Sequence, residues 1–315
     1  MHEMKSGLSE FIIGIVEQKR SLGYIYDSQE YQLWRFDRFC LLNYPAETGL
    51  TKEVAMHWSE RHGFESISSQ EGRISPVRQL AKYMLSIGRS AFMIPKFIPG
   101  KGLKYMPHIF TDIELSFFFR EADNFAFDKR YPERHLVMSV IFRLIYCCGL
   151  RNSEARSLCM KDVDLYDGIL RIIDSKNRNR YIPLSGDLLF LCKKYNVLAE
   201  KIYPSRKWFF QNRHGRCYSA GTVDYMFHQC WNRTGIIVTE GNQPRVHDFR
   251  HFFARKRLDL WVKENKDLQA FQPYLSMYMG HKTFVETDYY LSLTEAFHPE
   301  FRKRSALSES LIPEV

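Results

Sequence analysis

The first ninety residues carry apolar side chains at helical intervals. Five of them lie on one face of a predicted helix: Leu8, Phe11, Ile12, Ile15 and Val16. The apolar positions within 31–40 predict a second helix. Thr51 is placed to cap a third, and Ser75-Pro76 to open a fourth, because proline is tolerated in a first helical turn. Residues 1–90 are therefore predicted to form a small helical domain.

The next segment is rich in residues that interrupt regular structure. Proline and glycine recur within a short stretch, at Pro95, Pro99, Gly100, Gly102 and Pro107. Lys101 and Lys104 add positive charge between them. We therefore interpret residues 91–107 as a basic linker that is able to follow a phosphate backbone.

Residues 108–315 are predicted to form a second, mostly helical domain. Thr111 and Glu114 have the spacing of a capping box. The segment 134–148 is apolar on nearly every side, which indicates a buried helix, and Gly149 is its expected end. Two alternating segments around a polar turn predict a β-hairpin, and five more helices follow; the strands are 167–174 and 180–184, and the helices 186–200, 220–234, 247–263, 273–279 and 285–296. The predicted fold is mainly α with a small antiparallel sheet.

Composition indicates the class of binding partner and the cellular compartment. The net charge of +9 favours a polyanionic partner, although basic proteins without a nucleic acid partner are common. The seven cysteines are odd in number and include no Cys-x-x-Cys pair, which is typical of a reduced, cytosolic protein without a zinc site. The N-terminus lacks the apolar core of a signal peptide, and the longest apolar stretch, 137–148, is too short to span a bilayer. These features predict a cytoplasmic protein without a membrane partner.

Basic side chains on the predicted N-terminal helices allow two interpretations. They form either a solvated face or a surface for DNA, since phosphate contacts need flexible cations. The sequence alone leaves both interpretations open. The candidates for DNA contact, including those in the linker and the hairpin, are Arg35, Arg38, Arg78, Lys82, Lys101, Lys104, Arg178 and Arg180.

A set of chemically active residues runs through the second domain. In chain order it comprises Arg151, Lys176, His247, Arg250, His281 and Tyr290. Cleavage of a phosphodiester needs a nucleophile, positive charge for the non-bridging oxygens, a proton for the leaving oxygen and a base for the attacking hydroxyl. This set supplies all four without a metal or another cofactor.

The local spacing of these residues supports the interpretation, although each pair alone has an ordinary alternative. Glu154 lies one turn after Arg151 and can orient it, but Arg–Glu pairs of this spacing are more often surface salt bridges. His247 and Arg250 share a helix face, which could also be a basic surface.

Two adjacent tyrosines compete for the role of nucleophile. On a helix Tyr289 and Tyr290 point about 100° apart, so only one can reach a phosphate. A phenol has an unperturbed pKa of about 10, so the nucleophile needs nearby cations or a base to lose its proton. The nine-residue spacing from His281 favours Tyr290, and packing is the alternative role for Tyr289.

Together these motifs resemble the tyrosine recombinases, also called the lambda-integrase family. The resemblance extends from about Met106 to the end of the chain and rests on four motifs, around Arg151, His247-Arg250, His281 and Tyr290. It implies that Arg151 is the first catalytic arginine, with Glu154 as its supporting acid. His247 and Arg250 match the second motif, and His281 the second histidine, which contacts the scissile phosphate.

The resemblance also implies a lysine in a β-hairpin turn that protonates the leaving 5′-oxygen. Lys176 is the best chemical choice, because Arg178 and Arg180 keep their charge and are poor proton donors. The turn is one residue shorter than the common family pattern, so the register is open.

The implied mechanism is two transesterifications through a 3′-phosphotyrosyl bond to Tyr290, without ATP or metal. The implied layout is a helical core-binding domain at 1–90, the linker and a catalytic domain at 108–315. Such enzymes act as tetramers on two double-stranded DNA sites, and here that implies a prokaryotic cytoplasmic protein, nucleoid-associated when active. The segment 294–315 is a candidate for docking on a neighbouring subunit, with a frayed tail as the alternative.

Three different functions are compatible with the sequence. A site-specific recombinase, such as an integrase or transposase of a mobile element, is the leading hypothesis. A type IB topoisomerase would use the same chemistry without strand exchange, and a DNA-binding protein that has lost catalysis would form no covalent adduct. Because few residues precede Gly7, we expect the simpler two-domain layout without an additional arm-type DNA-binding module.

Overall fold

The structure is a computed structural model that describes residues 3–96, 106–173, 179–239 and 242–281. The chain divides into two compact units, Met1–Tyr105 and Met106–Val315, here called the N-terminal unit and the C-terminal unit. The predicted helix at 285–296 lies outside the described residues.

The N-terminal unit is built from four helices: α1 (Ser9–Ser21), α2 (Asp27–Asn43), α3 (Lys52–Ser59) and α4 (Ile67–Ser86). Their apolar faces meet in one core that fully buries Leu33, Phe36 and Leu80. The predicted cap of α3 is confirmed, since Thr51 Oγ1 accepts a hydrogen bond from the Val54 amide. The helical prediction for this region is therefore correct.

The predicted start of α4 at Ser75-Pro76 is wrong. The helix begins at Ile67, where the Ser66 hydroxyl accepts a 3.1 Å hydrogen bond from the Ser69 amide, and Pro76 lies inside it. Pro76 is tolerated because the core buries the apolar residues beside it. That burial offsets the lost backbone hydrogen bond.

One predicted DNA contact in this unit is contradicted. The Arg78 side chain is only 8% exposed, and its guanidinium donates to the carbonyls of Ile94 and Pro95 and pairs with Glu71. It holds the chain that follows α4 and does not face solvent. A side chain whose donors are taken by two backbone carbonyls and a carboxylate has little left for a phosphate.

Three other basic residues of the N-terminal unit do face solvent. Arg35, Arg38 and Lys82 are exposed, and the Arg38 guanidinium lies 5.3 Å from the centre of the Trp34 ring. Their contact with DNA stays a prediction. Lys101 and Lys104 lie outside the described residues.

The described part of the C-terminal unit contains seven further helices, a 3-10 turn and a three-stranded sheet. In chain order these are α5 (Asp112–Asp123), α6 (Arg134–Cys148), α7 (Asn152–Arg156), the 3-10 turn Met160–Asp162, β1 (Val163–Asp164), β2 (Ile169–Ile172), β3 (Arg180–Pro183), α8 (Gly186–Ile202), α9 (Ala220–Arg233), α10 (Val246–Lys263) and α11 (Leu268–Met279). The predicted capping box of α5 is confirmed: Thr111 Oγ1 accepts from the Glu114 amide, and the Glu114 carboxylate accepts from the Thr111 amide. The fold is mostly helical with a small antiparallel sheet, as predicted.

Helix α6 is the central element of this unit. It packs against α5, α8 and α10, and its side chains Ile141, Phe142 and Ile145 are completely buried. Phe142 and Phe249 both belong to an aromatic cluster around Phe118, with ring centres 5.3 and 5.1 Å from it. The apolar sequence of α6 is therefore explained by partners on several sides.

The sheet is antiparallel, in the order β1-β2-β3, and Ile172 pairs with Arg180 where the hairpin turn begins. The hairpin was predicted, but β1 was not, because two residues are too few to show an alternating pattern.

Helix α11 begins earlier than predicted, at Leu268, with Asp267 as its cap and Pro273 inside the helix.

Gly149 ends α6 in a left-handed conformation, with φ of +62°. A Cβ atom at this position would lie 2.5 Å from Cδ1 of Phe253. That ring is itself stacked on Tyr278, with centres 5.5 Å apart, so it has little freedom to move. Both backbone conformation and packing therefore require glycine.

We expect Gly149→Ala to lower the free energy of unfolding by about 2–4 kcal/mol, combining left-handed strain with overpacking. Gly215→Ala is the matched control, since Gly215 also has positive φ but nothing near the position of a Cβ atom, and about 1 kcal/mol is expected there. Urea unfolding of both variants measures the difference. Equal losses would contradict the packing argument.

Candidate active site

The carboxylate of Glu154, on α7, is bound by arginines from the start of α7 and from β3. Its Oε2 accepts a 2.8 Å hydrogen bond from the Arg151 amide, and its Oε1 a 2.9 Å bond from Arg151 Nη1. Arg151 is the residue that precedes α7, so Glu154, at the third position of that helix, reaches back to it. The predicted orientation of Arg151 by Glu154 therefore has this geometric basis.

Arg180 of β3 holds the same carboxylate. Its Nη1 donates to Glu154 Oε1 at 3.0 Å and its Nη2 to Oε2 at 2.7 Å, with the side chain only 10% exposed. We predicted Arg180 as a contact for DNA, and this position corrects that prediction. The signal in the sequence was its register: Arg180 and the buried Ile182 lie on the same face of β3, where a charge needs a partner.

Arg250 of α10 lies beneath the site. Its Nη1 and Nη2 each donate at 2.6 Å, to the carbonyls of Gly149 and Met279, and its side chain is 2% exposed. These carbonyls belong to the C-terminal ends of α6 and α11, which lack amide partners within their own helices. Arg250 Nη1 also lies 3.9 Å from Glu154 Oε2. Arg250 therefore joins the ends of two helices to the site.

Arg151 reaches the same end of α11, because its Nη2 donates to the Gly280 carbonyl at 2.7 Å. Gly280 has φ of +64°, and a Cβ atom there would lie 2.8 Å from Arg180 Nη1. The glycine thus leaves room for the arginines next to His281. The predicted end of α11 at Gly280 is confirmed.

The two histidines of the predicted site are held neutral in the free protein. Desolvation, followed by the charges of Arg250 and Arg151, lowers the pKa of His281 to about 3. Desolvation and the charge of Arg250 lower the pKa of His247 to about 4, although His247 keeps contact with solvent. A phosphate brought among these arginines would raise both pKa values, since it adds opposite charge.

His251 forms a third member of this group. Its ring lies edge-on to that of His247, with centres 4.7 Å apart, and desolvation lowers its pKa to about 3. The contact with His247 is compatible with a structural role for His251.

Glu154 stays ionised in this arrangement. Burial alone would raise its pKa, but the hydrogen bonds and charge of Arg180, the Arg151 amide and the charge of Arg250 outweigh burial and lower it. Among the described residues, three guanidinium groups therefore surround one carboxylate, which leaves an excess of positive charge. Such a preformed field is what an oxyanion or phosphoryl transition state needs.

The structure thus brings together Arg151, Glu154, Arg250 and His281, with His247 close enough for the charges of the arginines and of Glu154 to shift its pKa. The predicted residues Lys176, Arg178 and Tyr290 lie outside the described residues. Within the part of the chain that the structure describes, no group of three or more His, Cys, Asp or Glu side chains could hold a metal ion. Reaction without a metal or cofactor stays a prediction.

The phage integrase family matches residues 124–296, more than half of the chain. The chain belongs to this family. It is similar to the putative integrase/recombinase y4rE of Sinorhizobium fredii, with 27% identity covering 90% of this chain and 91% of the relative. It is also similar to the tyrosine recombinase XerC of Chromobacterium violaceum, with 26% identity covering 79% of this chain and 71% of the relative.

Solved structures confirm the integrase fold. The XerH site-specific recombinase bound to a palindromic difH substrate matches with a TM-score of 0.63 at 16% identity, covering 90% of this chain and 79% of that one. A lambda integrase dimer bound to a COC′ core site matches with a TM-score of 0.60 at 18% identity, covering 89% and 94%. The predicted resemblance to the tyrosine recombinases is confirmed, as is the prediction of a recombinase enzyme, while the topoisomerase alternative receives no support.

No helix among the described residues of this integrase is long and apolar enough to cross a membrane.

The low histidine pKa values predict that the free integrase loses stability on acidification. The folded-state pKa of His281, about 3, lies below the ordinary value of 6.5, so the unfolded chain binds its proton first. The contribution of neutral His281 is therefore complete above pH 6.5 and is lost as the pH falls towards 3. Between pH 7 and 5, His281→Gln should lose less stability than the wild type, by on the order of 1 kcal/mol.

Urea unfolding at the two pH values measures this difference. His214→Gln is the control, because His214 is exposed on the surface and should behave as the wild type does. An identical pH dependence in His281→Gln and the wild type would show that His281 is not held neutral by its surroundings.

Proposed function

We propose that this protein cuts and rejoins DNA at specific sites through a 3′-phosphotyrosyl bond to Tyr290. The observation that carries the proposal is the arginine cluster at the end of α11. Arg151 and Arg250 both donate to carbonyls there, directly before His281 in the chain. Tyr290 follows nine residues later in the sequence, a separation short enough for the chain to return to the same cluster.

Each residue of the cluster has a role in this reaction. Arg151 and Arg250 stabilise negative charge on the non-bridging phosphoryl oxygens. His247 and His281, held neutral in the free protein, can donate or accept hydrogen bonds at the phosphate. Lys176 supplies the proton to the leaving oxygen.

Each step exchanges one phosphoester bond for another, so the reaction needs no external energy source. The Tyr290 hydroxyl passes its proton to neutral His247 as its oxygen attacks phosphorus, the bond to the 5′-oxygen breaks, and the 5′-hydroxyl leaves with the proton from Lys176. In the second step the 5′-hydroxyl of a partner strand returns a proton to Lys176 and attacks the phosphotyrosine, and the tyrosine oxygen leaves with the proton held by His247. One phosphodiester replaces another, so no ATP is required.

The proposed layout assigns DNA binding to residues 1–90, a basic linker to 91–107 and catalysis to 108–315. Arg35, Arg38 and Lys82 support the first assignment because they are exposed and flexible cations. We propose a cytoplasmic enzyme, nucleoid-associated when active, that acts on double-stranded DNA.

We further propose a homo-tetramer that serves a mobile element. Support for a tetramer comes from a lambda integrase tetramer bound to a Holliday junction, which has a TM-score of 0.63 at 17% identity with this chain. Support for transposition comes from the likeness to the Tn1549 transposon integrase, with a TM-score of 0.61. In this proposal the segment 294–315 docks on a neighbouring subunit.

Covalent trapping tests the nucleophile. The wild-type protein is expected to form denaturation-resistant adducts at discrete DNA sequences, and Tyr290→Phe to form none while binding DNA normally. Tyr289→Phe is the matched control and should retain adducts. DNA that surrounds the gene is supplied in the host, and attached fragments are recovered and sequenced.

The pattern of adducts separates the competing functions. Adducts that persist in Tyr290→Phe would exclude Tyr290 as the nucleophile. Scattered adducts would indicate relaxation of DNA in place of site-specific exchange. Binding without any adduct from the wild-type protein would indicate a DNA-binding protein without catalysis.

Arg151→Ala should slow cleavage by roughly 10²–10³-fold, since one preformed donor to the transition state is removed. The Arg151 side chain is 30% exposed, whereas that of Arg250 is 2% exposed. Arg250→Ala is therefore expected to lower both the cleavage rate and the melting temperature, because buried carbonyls lose their donor. Single-turnover cleavage and thermal unfolding of both variants distinguish the two effects, and an unchanged cleavage rate in Arg151→Ala would contradict its assignment.

A further inference from the structure

The pair formed by Arg180 and Glu154 connects the β-hairpin to the candidate site. It joins two segments 26 residues apart through two parallel hydrogen bonds of 3.0 and 2.7 Å. Both side chains are nearly buried, at 10% and 11% exposure. Bidentate pairs of this kind fix the direction of both partners as well as their distance.

Arg180 also affects how strongly the Glu154 carboxylate binds Arg151, because both arginines donate to it. Glu154 accepts one side-chain bond from Arg151 and two from Arg180, and Arg250 lies 3.9 Å away. Because Arg180 occupies both oxygens, Glu154 neutralises Arg151 only in part. Without Arg180, the carboxylate would bind Arg151 more strongly and would compete with a phosphate for its guanidinium.

The third contact of Arg180 is with the turn that carries His281. Its Nη1 lies 2.8 Å from the position of a Cβ atom on Gly280, and Arg151 Nη1 lies 3.4 Å from the same position. Arg180 therefore packs against the end of α11, beside the carbonyl that Arg151 binds. One side chain of β3 thus touches both segments that supply the predicted phosphate ligands.

We propose that Arg180 is a positioning residue for DNA cleavage, which holds Glu154 so that Arg151 and the Gly280–His281 turn receive the scissile phosphate in the productive geometry. This role rests on the proposed function. It differs from contact with DNA, because both guanidinium nitrogens that face the site are directed at Glu154. The effect of Arg180 on the reaction is therefore expected to pass through Glu154.

A double-mutant cycle tests the proposal. Arg180→Gln is expected to slow single-turnover cleavage by about 10²-fold, the usual cost of a small displacement in an active site, and to change the Kd for DNA by less than about threefold. Arg180→Lys keeps the charge but not the bidentate geometry and should recover part of the rate. Because the pair acts as a unit, adding Arg180→Gln to Glu154→Gln should slow cleavage far less than it slows the wild type.

The pH profile gives a readout that a loss of folding would not produce. The groups that face Glu154 are Arg151, Arg180 and Arg250, and His247 and His281 interact with its charge. Removing the guanidinium of Arg180 removes the main group that favours the carboxylate. Arg180→Gln should therefore show an additional decline in cleavage rate as the pH falls, and the double variant with Glu154→Gln should lack it.

Tyr181→Ala is the matched control, since Tyr181 is the next residue of β3 and is 66% exposed. It should leave the cleavage rate and its pH profile unchanged. Thermal unfolding of each variant establishes that it is folded, and Arg180→Lys carries the test if Arg180→Gln is not. Covalent adducts from the wild-type protein are the reference for all rates, so their absence would overturn the proposed function first.

Three results would overturn the positioning role while leaving the proposed function in place. One is full cleavage activity in folded Arg180→Gln. Another is a purely additive double-mutant cycle, which would indicate that Arg180 acts on the phosphate independently of Glu154. The third is a loss of activity explained by a weaker Kd alone, which would make Arg180 a DNA contact.

Discussion

Two helices of the C-terminal unit, α6 and α11, end beside one another, and the arginines that bind their last carbonyl groups determine the site. Each helix ends at a glycine with positive φ, Gly149 and Gly280, and leaves carbonyls without amide partners. Arg250 donates to one carbonyl at each end, and Arg151 donates to that of Gly280. The negative ends of the helices thereby hold guanidinium groups in place before any DNA is present.

Among the described residues, these contacts bring more positive than negative charge into the cluster. A buried cluster of like charges would be unstable alone, and Glu154 offsets part of it by accepting bonds from Arg151 and Arg180. One carboxylate cannot neutralise three guanidiniums, so the described cluster keeps a positive field. The neutral state of His281 is a consequence of that field, in addition to desolvation. On the proposed function, a phosphate brought into this positive field would be stabilised by it.

The sequence was sufficient for the fold class, for the ends of α6 and α11 and for naming Arg151, Glu154, Arg250 and His281, because glycine stops, periodicity and motif spacing are local signals. The sequence was insufficient for predicting which groups the charged side chains bind. Arg250 meets the Gly149 carbonyl across 101 residues of chain, and no local pattern indicates that contact. Arg78 and Arg180 were misplaced because charge alone does not distinguish a solvated side chain from a buried one. The starts of α4 and α11 were misplaced because a proline was taken as the first turn, although an earlier Ser66 or Asp267 was available as a cap.

The exposed fraction of each arginine side chain indicates whether the residue contributes mainly to folding or to the proposed chemistry. Arg250, at 2% exposure, is needed to satisfy carbonyls at two helix ends, so the fold itself depends on it. Arg151, at 30% exposure, is the most accessible of the three side chains. Arg180, at 10%, binds the carboxylate that lies between them. The three arginines therefore range from buried to partly exposed, and on the proposed function a substitution at the buried Arg250 is expected to affect stability as well as catalysis, whereas one at Arg151 is expected to affect mainly catalysis.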